Sequence, residues 1–383
     1  MTAVPAVAAG DDMSERADRV FALIAGGGTA GHVHPALAVA EALVDAGHDR
    51  DSIVFVGSTT GMEAQLVPDA GFRLVPLAVT NFPRRPSVQL LTSTGRLVVA
   101  AVRSVRLLRA LRPRVLVSVG GFASVAPVIA AKLTGVPVVA IAYDAVPGLA
   151  TRLTARVAAA TAVAFPACRL PRSEITGAPI SASIASTDRT NDRAAARAKL
   201  GVPLDRFLLL VVGGSLGSGR LNELVDAFVA AHGDRADLAV RHLVGARNDD
   251  GSRKPLDGAG GILYQVIGFD TAMDIAYAAS DLALTRAGAT VTAELAAVGL
   301  PAIVVPWPAA TNDHQTANGR ALAATGGAVL IAESDLTPTR LAAEIERLRI
   351  NPNARAAMAA GAHSLAKADA AVRIATIVER LAR

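Results

Sequence analysis

Short apolar runs alternate with helix-length segments through most of the chain. Residues 20–25 (VFALIA) form an apolar run of strand length, and a glycine-rich turn follows it at once. From Pro35, Ala and Leu recur at helical spacing as far as Ala46, and Gly47 ends that segment. Because a strand followed by a helix and another strand builds a right-handed βαβ unit, this alternation predicts a parallel sheet with helices on its faces.

The same pattern predicts the other elements of both halves. The predicted strands are 53–57, 74–79, 115–119, 137–142, 207–212, 238–244, 262–267, 281–284 and 302–305. The predicted helices are 35–46, 61–71, 88–111, 124–134, 220–232, 271–279, 289–298, 314–325, 338–349 and 369–382. Each half opens with an apolar strand, a glycine cluster that includes a hydroxyl, and a helix, which indicates two Rossmann-like units in series.

The alternation weakens between residues 165 and 203, where prolines interrupt it. We therefore predict a flexible extension over 1–19, an N-terminal Rossmann-like domain over 20–180 and a C-terminal one over 181–383. The final helix is a candidate to pack back on the N-terminal domain. Because open α/β sheets bind ligands beyond the carboxyl ends of their strands, the two domains together predict a site in the cleft between them.

Composition and charge narrow the possible functions. The chain has 52% hydrophobic and 19% charged residues, which is typical of a globular protein. Aromatic residues make up only 3%, so we expect no base-stacking surface and no nucleic-acid partner. The net charge of +5 is compatible with a phosphate-bearing ligand or an anionic membrane surface. A single cysteine, Cys168, argues against a disulfide framework and a Cys-based zinc site.

The chain shows no signal that predicts export or membrane insertion. Residues 1–19 contain acidic residues and no apolar core segment, unlike a secretory signal. No apolar run of 18 or more residues escapes interruption by Gly, Pro or a charge, so we expect no spanning helix. These observations predict a cytosolic protein that contacts a membrane at most from one side.

Two glycine-rich turns are candidate ligand-binding segments. The first, Gly26-x-Gly28-x-x-Gly31, matches a dinucleotide fingerprint, but the next strand ends in Gly57-Ser58-Thr59, without the carboxylate that a NAD ribose needs. A dinucleotide-dependent oxidoreductase stays an alternative, whereas the absence of Gly-Lys-Ser/Thr excludes a P-loop. Asp49-Arg50-Asp51 resembles a metal signature but precedes its strand, at the wrong edge of the sheet. We therefore predict no metal ligands and no cofactor.

Polar residues suited to chemistry follow the first turn and fill a second stretch. His32 should lie at a helix start, facing the cleft, and histidine exchanges protons near neutral pH. A structural hydrogen-bonding role is the alternative for His32, and the neighbouring His34 is interpreted as an incidental loop residue. Residues 285–319 combine an Arg, a Glu and an Asp-His-Gln triplet with apolar segments. A core does not need these groups, so we interpret this stretch as the other half of the site.

Six segments together resemble the MurG family, the GT-B glycosyltransferases that add N-acetylglucosamine to lipid I in peptidoglycan synthesis. They are, in order, IAGGGTAGHVHPALAVAEAL, VSVGGFASVAPVIAAKLTGVPVV, DAVPGLATRL, VVGGSLGSGRLNE, RAGATVTAELAAVGLPAIVVPWP and NDHQTANGRAL. The resemblance implies an α/β protein of GT-B fold, with two Rossmann-like domains whose parallel sheets face an interdomain cleft. It also implies an inverting, metal-independent transfer from UDP-N-acetylglucosamine to a lipid-linked sugar acceptor, at the cytoplasmic face of a bacterial cell membrane.

The resemblance further implies roles for individual residues. His32 matches the candidate base for the acceptor hydroxyl, or a group that orients it. Glu294 matches the carboxylate that binds the ribose hydroxyls, because a carboxylate accepts two hydrogen bonds from a vicinal diol. A solvated or capping carboxylate is the alternative for Glu294, and an N-cap is the alternative for Asp313. The other implied substrate-binding positions are Thr29, Gly31, Asp144, Gly214, Ser215, Gly217, Phe269, Met273, Arg286, Asp313 and Gln315.

Those other positions divide by the part of the substrate that they match. Gly214, Ser215 and Gly217 match the diphosphate cradle at a helix N-terminus, and Arg286 lies beside the same cleft. The remaining donor matches are Phe269 and Met273 for the uracil, and Asp313 and Gln315 for the sugar hydroxyls. Thr29, Gly31 and Asp144 lie on the acceptor side.

The chain departs from the family pattern on the acceptor side of the cleft. Ala30 stands where the family has Gly, and Ile141-Ala142-Tyr143-Asp144 replaces His-Glu-Gln-Asn. Ala178-Pro179-Ile180-Ser181 replaces Asn-Pro-Val-Arg at the domain crossover. Two alternatives therefore stay open: a MurG-like paralogue that uses a UDP-sugar with a different acceptor, and a nucleotide-sugar binder without turnover.

Residues 84–114 form the most basic segment of the chain. They contain no acidic residue and carry Arg84, Arg85, Arg96, Arg103, Arg106, Arg109, Arg112 and Arg114. Leu and Val lie between these arginines, which predicts an amphipathic helix with a cationic face. Our hypothesis is that this helix, with Phe82 and Pro83 before it, docks the N-terminal domain on anionic lipids of the inner leaflet. An ordinary arginine-covered surface helix is the alternative.

Overall fold

Two seven-stranded sheets carry the fold. The computed structural model describes residues 20–58, 60–77 and 88–383, with only the backbone described over 88–97. The predicted extension over 1–19 lies outside these ranges, and so do Phe82, Pro83, Arg84 and Arg85 of the basic segment.

The first sheet is entirely parallel, with strand order β3-β2-β1-β4-β5-β6-β7. Its strands are β1 Ala22–Ala25, β2 Ile53–Gly57, β3 Arg73–Pro76, β4 Val115–Ser118, β5 Val138–Ala142, β6 Ala160–Val163 and β7 Ser173–Ile175. Its helices are α1 Ala30–Asp45, α2 Glu63–Asp69, α3 Val88–Leu111, α4 Val125–Thr134 and α5 Leu149–Val157. The strand order reverses between β1 and β4, so the segments that follow these two strands meet at the carboxyl edge.

The second sheet has the order β10-β11-β9-β8-β12-β13-β14, and only the β10–β11 pair is antiparallel. Its strands are β8 Phe207–Val212, β9 Leu238–Leu243, β10 Leu256–Asp257, β11 Leu263–Ile267, β12 Leu282–Thr285, β13 Ala302–Val304 and β14 Ala328–Leu330. Its helices are α6 Ala182–Ala185, α7 Arg189–Leu200, α8 Gly219–Ala231, α9 Met273–Ala279, α10 Ala289–Val298, α11 His314–Ala324, α12 Pro338–Arg349, α13 Pro352–Ser364 and α14 Ala370–Leu381. The order reverses between β8 and β12, which repeats the arrangement of the first sheet.

Helices on both faces of each sheet explain the continuous apolar strands. β1, β4 and β5 are buried along their whole length, and so is β9 of the second sheet. A fully buried Leu or Ile side chain contributes roughly 1.5–3 kcal/mol to folding, so these buried strands contribute strongly to stability.

Eight elements are absent from the predicted set: β6, β7, β10, β14, α5, α6, α7 and α13. β7 reads Ser-Glu-Ile and lies at the sheet edge with two of its three residues exposed, so it lacks an apolar run. α7 buries little besides Ala196 and Arg197, which leaves a weak apolar period. Its ends are nevertheless marked, because Asp188 accepts hydrogen bonds from two first-turn amides and Gly201 closes the helix in the left-handed conformation.

The last helix, α14, packs on α1 of the first half. Ile374, Ile377 and Val378 are buried in the same apolar core as the strands of the first sheet. At the helix end, Nε2 of His48 lies 3.0 Å from Glu379 Oε1, and Arg380 forms an ion pair with Glu174. The chain end thereby holds the two halves together from the side of the first sheet.

The helices give no sign of a membrane span. Over residues 20–58, 60–77 and 88–383, no helix is both long enough and apolar enough to cross a bilayer.

Candidate active site

His32 lies where the strand order of the first sheet reverses, in the first turn of α1. Its Nδ1 is 3.1 Å from Oγ1 of Thr29, and its ring lies beside the glycines that follow β4. A Cβ built on Gly121 would lie 3.6 Å from Nε2, and both Gly120 and Gly121 have positive φ. These glycines let the backbone approach the ring closely. Within the described part of the chain Nε2 has no hydrogen-bond partner, so it is the nitrogen available to a substrate.

The charges around His32 come from three different elements. Burial lowers the pKa of His32 below its ordinary value of 6.5, and the nearby His314 acts in the same direction. The negative charges of Asp144 and Glu63 act against this and raise the pKa. The net direction is downward, so the imidazole is mainly neutral at pH 7 and can accept a proton.

The departure at 141–144 places an aromatic ring beside His32. Ile141 and Ala142 are buried in β5, and the Tyr143 ring meets His32 edge-on, with centroids 5.9 Å apart. The Tyr143 hydroxyl donates a hydrogen bond to the carbonyl of Val119 at 3.1 Å. The first two positions of the replaced segment are therefore core positions, and the third shapes the surroundings of the imidazole.

Asn318 joins the two halves next to Asp144. This side chain on α11 is fully buried, and its Nδ2 donates to Oδ1 of Asp144 at 3.0 Å. Its Oδ1 accepts a hydrogen bond from the amide of Ala145 at 2.8 Å. A second bond crosses nearby, from Oγ1 of Thr290 to the carbonyl of Gly31 at 3.5 Å. The first glycine turn and the loop after β5 therefore face α10 and α11 of the second half.

The turn after β8 has the geometry of an anion-binding site. Gly214, Ser215 and Gly217 lie in it, and α8 starts immediately after it. Ser218 caps that helix, and its Oγ accepts a hydrogen bond from the amide of Leu221 at 3.4 Å. The amides of such a turn and the positive end of the helix dipole attract anions. The turn therefore suits a diphosphate.

The loop after β9 packs against this turn. Asn248 donates hydrogen bonds to the carbonyls of Leu216 and Val244, at 3.2 and 3.0 Å. Gly217 has a φ of 75°, and a Cβ there would lie 2.0 Å from the Val244 oxygen. A Cβ on Gly214, in contrast, would meet open space. Of these two glycines, Gly217 is therefore the one that the turn needs in order to pack on the neighbouring loop.

Arg286 is bound to protein groups instead of pointing freely into the cleft. Its guanidinium donates to Oγ of Ser218 at 2.6 Å, pairs with Glu333, and contacts the carbonyls of Val305 and Pro306. This set of bonds ties the end of β12 to the turn after β8 and to the loop after β13. The geometry therefore gives Arg286 a supporting role at the predicted site.

Glu294 lies in the middle of α10. It does not cap the helix, since the N-cap is Gly288. Its Oε2 accepts a hydrogen bond from the Tyr277 hydroxyl at 2.7 Å. Burial raises the pKa of Glu294 to about 7, and the bond from Tyr277 acts in the opposite direction. The carboxylate therefore changes charge near neutral pH.

The predicted uracil residues lie on either side of the start of α9. Phe269 is in the loop after β11 with its side chain partly exposed, and Met273 is the first residue of α9. Tyr277, which binds Glu294, is one helical turn further along α9. This places Phe269, Met273 and Glu294 around the same helix.

The loop after β13 carries backbone strain. Asn312 and Asp313 have φ values of 54° and 52°, in a region that costs about 1–2 kcal/mol for residues with a side chain. Asp313 occupies the N-cap position of α11, but its exposed side chain makes no capping hydrogen bond. Oε1 of Gln315 accepts a hydrogen bond from the Trp307 amide at 2.8 Å. The Asp313 carboxylate and the Gln315 amide group therefore remain available to a ligand.

Sequence reasoning missed four residues of this region: Glu63, Tyr277, Trp307 and Asn318. Trp307 carried a signal, because it is the single Trp of the chain, stands between two prolines and is 48% exposed. Asn318 lay within a segment that resembles the family but had no assigned role. No sequence signal links Tyr277 to Glu294, since their contact depends on how α9 packs against α10.

The described residues, from 20 to 58, 60 to 77 and 88 to 383, contain no group of three or more His, Cys, Asp or Glu side chains placed to hold a metal ion.

Comparison with known proteins agrees with this geometry. The model of the glycosyltransferase family 28 N-terminal domain matches residues 22–163, and that of the C-terminal domain matches 208–374. The UDP-N-acetylglucosamine--N-acetylmuramyl-(pentapeptide) pyrophosphoryl-undecaprenol N-acetylglucosamine transferase of Clavibacter sepedonicus is 40% identical over 93% of this chain and 95% of its own length. The transferase of the same name from Streptomyces coelicolor is 36% identical, over 91% and 94%.

Solved structures agree as well. The crystal structure of Acinetobacter baumannii MurG matches with a TM-score of 0.70 and 26% identity, over 94% of this chain and 99% of its own. A glycosyltransferase of kitacinnamycin, at 20% identity and a TM-score of 0.66 over 94% and 98% of the two chains, shares the fold.

The two facing α/β domains and their cleft define a glycosyltransferase of GT-B fold. The chain belongs to glycosyltransferase family 28 and, within it, to the MurG family. The family resemblance and the fold class predicted from the sequence are confirmed.

Gly214 and Gly217 of the turn after β8 should respond differently to the same substitution. We expect Gly217→Ala to lower the free energy of unfolding by roughly 2–4 kcal/mol, because it adds a clash with the Val244 carbonyl to the cost of a positive φ. Gly214→Ala bears only the backbone cost, about 1 kcal/mol. Urea unfolding followed by circular dichroism measures both. Equal losses would contradict the packing that the turn requires.

Proposed function

We propose that this chain transfers N-acetylglucosamine from UDP-N-acetylglucosamine to the lipid-linked MurNAc-pentapeptide of lipid I, forming lipid II. One observation carries the proposal: Nε2 of His32 has no hydrogen-bond partner in the described structure, and the turn that carries His32 bonds to α10 of the half that holds the anion-binding turn at the start of α8. The names of the relatives, at 36–41% identity over nearly the whole chain, support the same donor and acceptor.

The donor is proposed to lie along the second half. The turn amides and Ser215 bind the diphosphate, while Glu294 accepts hydrogen bonds from the ribose hydroxyls. Phe269 and Met273 pack on the uracil, and Asp313 and Gln315 bind the sugar hydroxyls. This order places the anomeric carbon towards His32 and the leaving UDP against α8.

The proposed reaction is a single displacement with inversion at the anomeric carbon. The acceptor hydroxyl oxygen attacks that carbon, the bond to UDP breaks, and the hydroxyl proton moves to Nε2 of His32. Thr29 holds Nδ1 and thereby fixes the ring orientation, and Gly31 and Asp144 line the acceptor side. The N-terminus of α8 stabilises the negative charge that develops on UDP.

A paralogue with a different acceptor is the second candidate. The observation that favours it is the replacement at 141–144, which brings the Tyr143 ring to the edge of His32. Radiolabelled transfer from UDP-N-acetylglucosamine to lipid I separates the two candidates. Transfer to lipid I supports the first candidate, whereas UDP binding without such transfer contradicts it.

His32 and His34 provide a matched pair of variants, two residues apart on α1. We expect His32→Ala to lower kcat for transfer to lipid I by about 10²–10⁴, because the acceptor proton loses its base. His34→Ala should leave kcat unchanged, since that side chain is exposed and outside the proposed machinery. Unchanged transfer by the His32 variant would remove the residue from the base role.

Donor binding should depend on pH through Glu294. The carboxylate form binds the ribose diol, and the pKa of this group is about 7. As the pH falls from 8 to 6, the carboxylate fraction falls about tenfold, so the donor KM should rise by about that factor. Fluorescence of the single Trp, Trp307, offers a direct titration with UDP-N-acetylglucosamine.

Two variants control this prediction. Glu294→Gln should raise the donor KM and remove its pH dependence. Tyr277→Phe should move the transition to higher pH, because the Tyr277 hydroxyl stabilises the charged form of Glu294. A pH profile that Glu294→Gln leaves intact would exclude Glu294 from the donor site.

The proposed membrane contact is a face formed by α3, α4 and α5, which pack side by side. We define this docking face by its exposed apolar residues Val98, Val99, Val102, Leu133, Leu149 and Leu153. Exposed basic residues surround them: Arg103, Arg106, Lys132, Arg152 and Arg156. Apolar side chains ringed by cations suit insertion among anionic lipid heads, where each basic residue contributes about 1 kcal/mol. The proposed location is the cytoplasmic face of the cell membrane, where a lipid-linked acceptor is accessible.

Vesicle binding tests the docking face. We expect Arg103→Glu with Arg106→Glu to weaken co-sedimentation with phosphatidylglycerol vesicles by at least about tenfold at low salt. The control, Lys199→Glu with Arg340→Glu, changes the net charge equally at exposed positions of the second half. Equal weakening by both pairs, or binding that ignores anionic lipid, would contradict docking through this face.

A further inference from the structure

Glu63 is a buried carboxylate beside the first glycine turn that the proposed reaction does not use. It is the first residue of α2, and its side chain is 1% exposed. Its Oε2 accepts a hydrogen bond from the amide of Gly28 at 2.7 Å, and its Oε1 accepts one from the amide of Ser58 at 2.8 Å. Gly28 follows β1 and Ser58 follows β2. One carboxylate thus ties together the carboxyl ends of two neighbouring strands.

Three glycines leave the space that this carboxylate occupies. A Cβ on Gly27, Gly57 or Gly61 would lie 2.4, 2.8 or 2.1 Å from the nearest atom of the Glu63 side chain. The three glycines come from the turn after β1, the end of β2 and the segment before α2. A charged group is costly to bury unless it is bonded, and two amide donors meet that need without a cation in the described surroundings.

The bond to Gly28 changes what the first turn can do. An amide at the start of a helix ordinarily offers a hydrogen bond to a bound anion. Here the Gly28 amide is taken by a carboxylate of this chain, so a phosphate would have to displace a buried negative charge to use it. The first turn is therefore built differently from the turn after β8, although both contain glycine clusters.

The same carboxylate acts on His32. His32 is four residues after Gly28, and Thr29 between them contacts its Nδ1. The charged and titratable groups that influence the ring are Asp144 after β5, Glu63 on α2 and His314 on α11. Of these, Asp144 already bonds to Asn318 of the second half. Glu63 therefore acts on His32 in two ways. Its charge acts on the imidazole through space, and its hydrogen bond to the Gly28 amide fixes the turn that carries His32.

We propose that Glu63 is a positioning residue for the base: its carboxylate fixes the turn that carries His32, and its charge stabilises the imidazolium that forms when the acceptor hydroxyl loses its proton. This proposal rests on the proposed function of His32. The proposed role requires the length of the Glu63 side chain, because the bonds to Gly28 and Ser58 depend on it. It also requires the charge, because the electrostatic effect on His32 depends on that.

Three variants separate these contributions. Glu63→Gln keeps the size, removes the charge and leaves one of the two amides without its acceptor, so kcat should fall at least about tenfold and the pH inflection of kcat should move to lower pH. Glu63→Asp keeps the charge but shortens the side chain by one methylene group, which moves the carboxylate away from the two amides. We expect kcat to fall, while the pH inflection of kcat moves less than in Glu63→Gln. Glu41→Gln is the control on α1, where Glu41 pairs with Arg50, and it should change neither quantity. Donor affinity from Trp307 fluorescence should stay unchanged in all three.

A titration by NMR of the His32 Cε1–H signal gives a readout that does not need turnover. The signal is assigned by its absence in His32→Ala, and its pKa should be lower in Glu63→Gln than in the unaltered protein. If the unaltered protein makes no lipid II, the proposed function fails while this titration still tests Glu63. An unchanged His32 pKa in Glu63→Gln would overturn the proposal. If that variant does not fold, unaltered kcat in Glu63→Asp would overturn it instead.

Discussion

The reversal of strand order next to β1 and next to β8 is the constraint on which the site depends. On either side of such a reversal the connecting helices cover opposite faces of the sheet, which leaves a crevice at the carboxyl edge. His32 and Gly121 meet in one crevice, and Ser218 and Arg286 meet in the other. These four residues therefore reach their places because particular strands end beside them.

The contact between the halves turns these two crevices into one site. Asn318 uses both atoms of its amide group to bond the loop after β5, and α14 packs on α1 behind it. A buried amide that leaves either atom unpaired loses free energy on the order of 1–3 kcal/mol, so these bonds favour one arrangement of the halves over others. α11 carries both Asn318 and Gln315, so the proposed sugar-binding residue is coupled to the acceptor domain through one helix.

Most strands and helices of the fold could be predicted from the sequence, because buried strands need apolar runs and the helices between them have a clear period. β7 and α7 were not predicted, because an edge strand and an exposed helix lack that signal. For the site, the turns and Glu294 were visible as polar groups in apolar surroundings. The sequence did not reveal the bond from Tyr277 to Glu294 or the supporting role of Arg286. Both depend on packing between elements that are distant in sequence.

Two copies of one fold have opposite electrostatic surroundings in this chain. Around the first turn stand the carboxylates of Glu63 and Asp144, and the Gly28 amide already serves one of them. Among the described residues the amides of the second turn donate no hydrogen bond to such a carboxylate, and α8 begins directly after it. In the proposed transfer a proton arrives at the first turn and a negative charge arrives at the second. The turn with carboxylates beside it therefore receives the proton, and the turn at the helix N-terminus receives the negative charge, so one reaction step is stabilised at both ends.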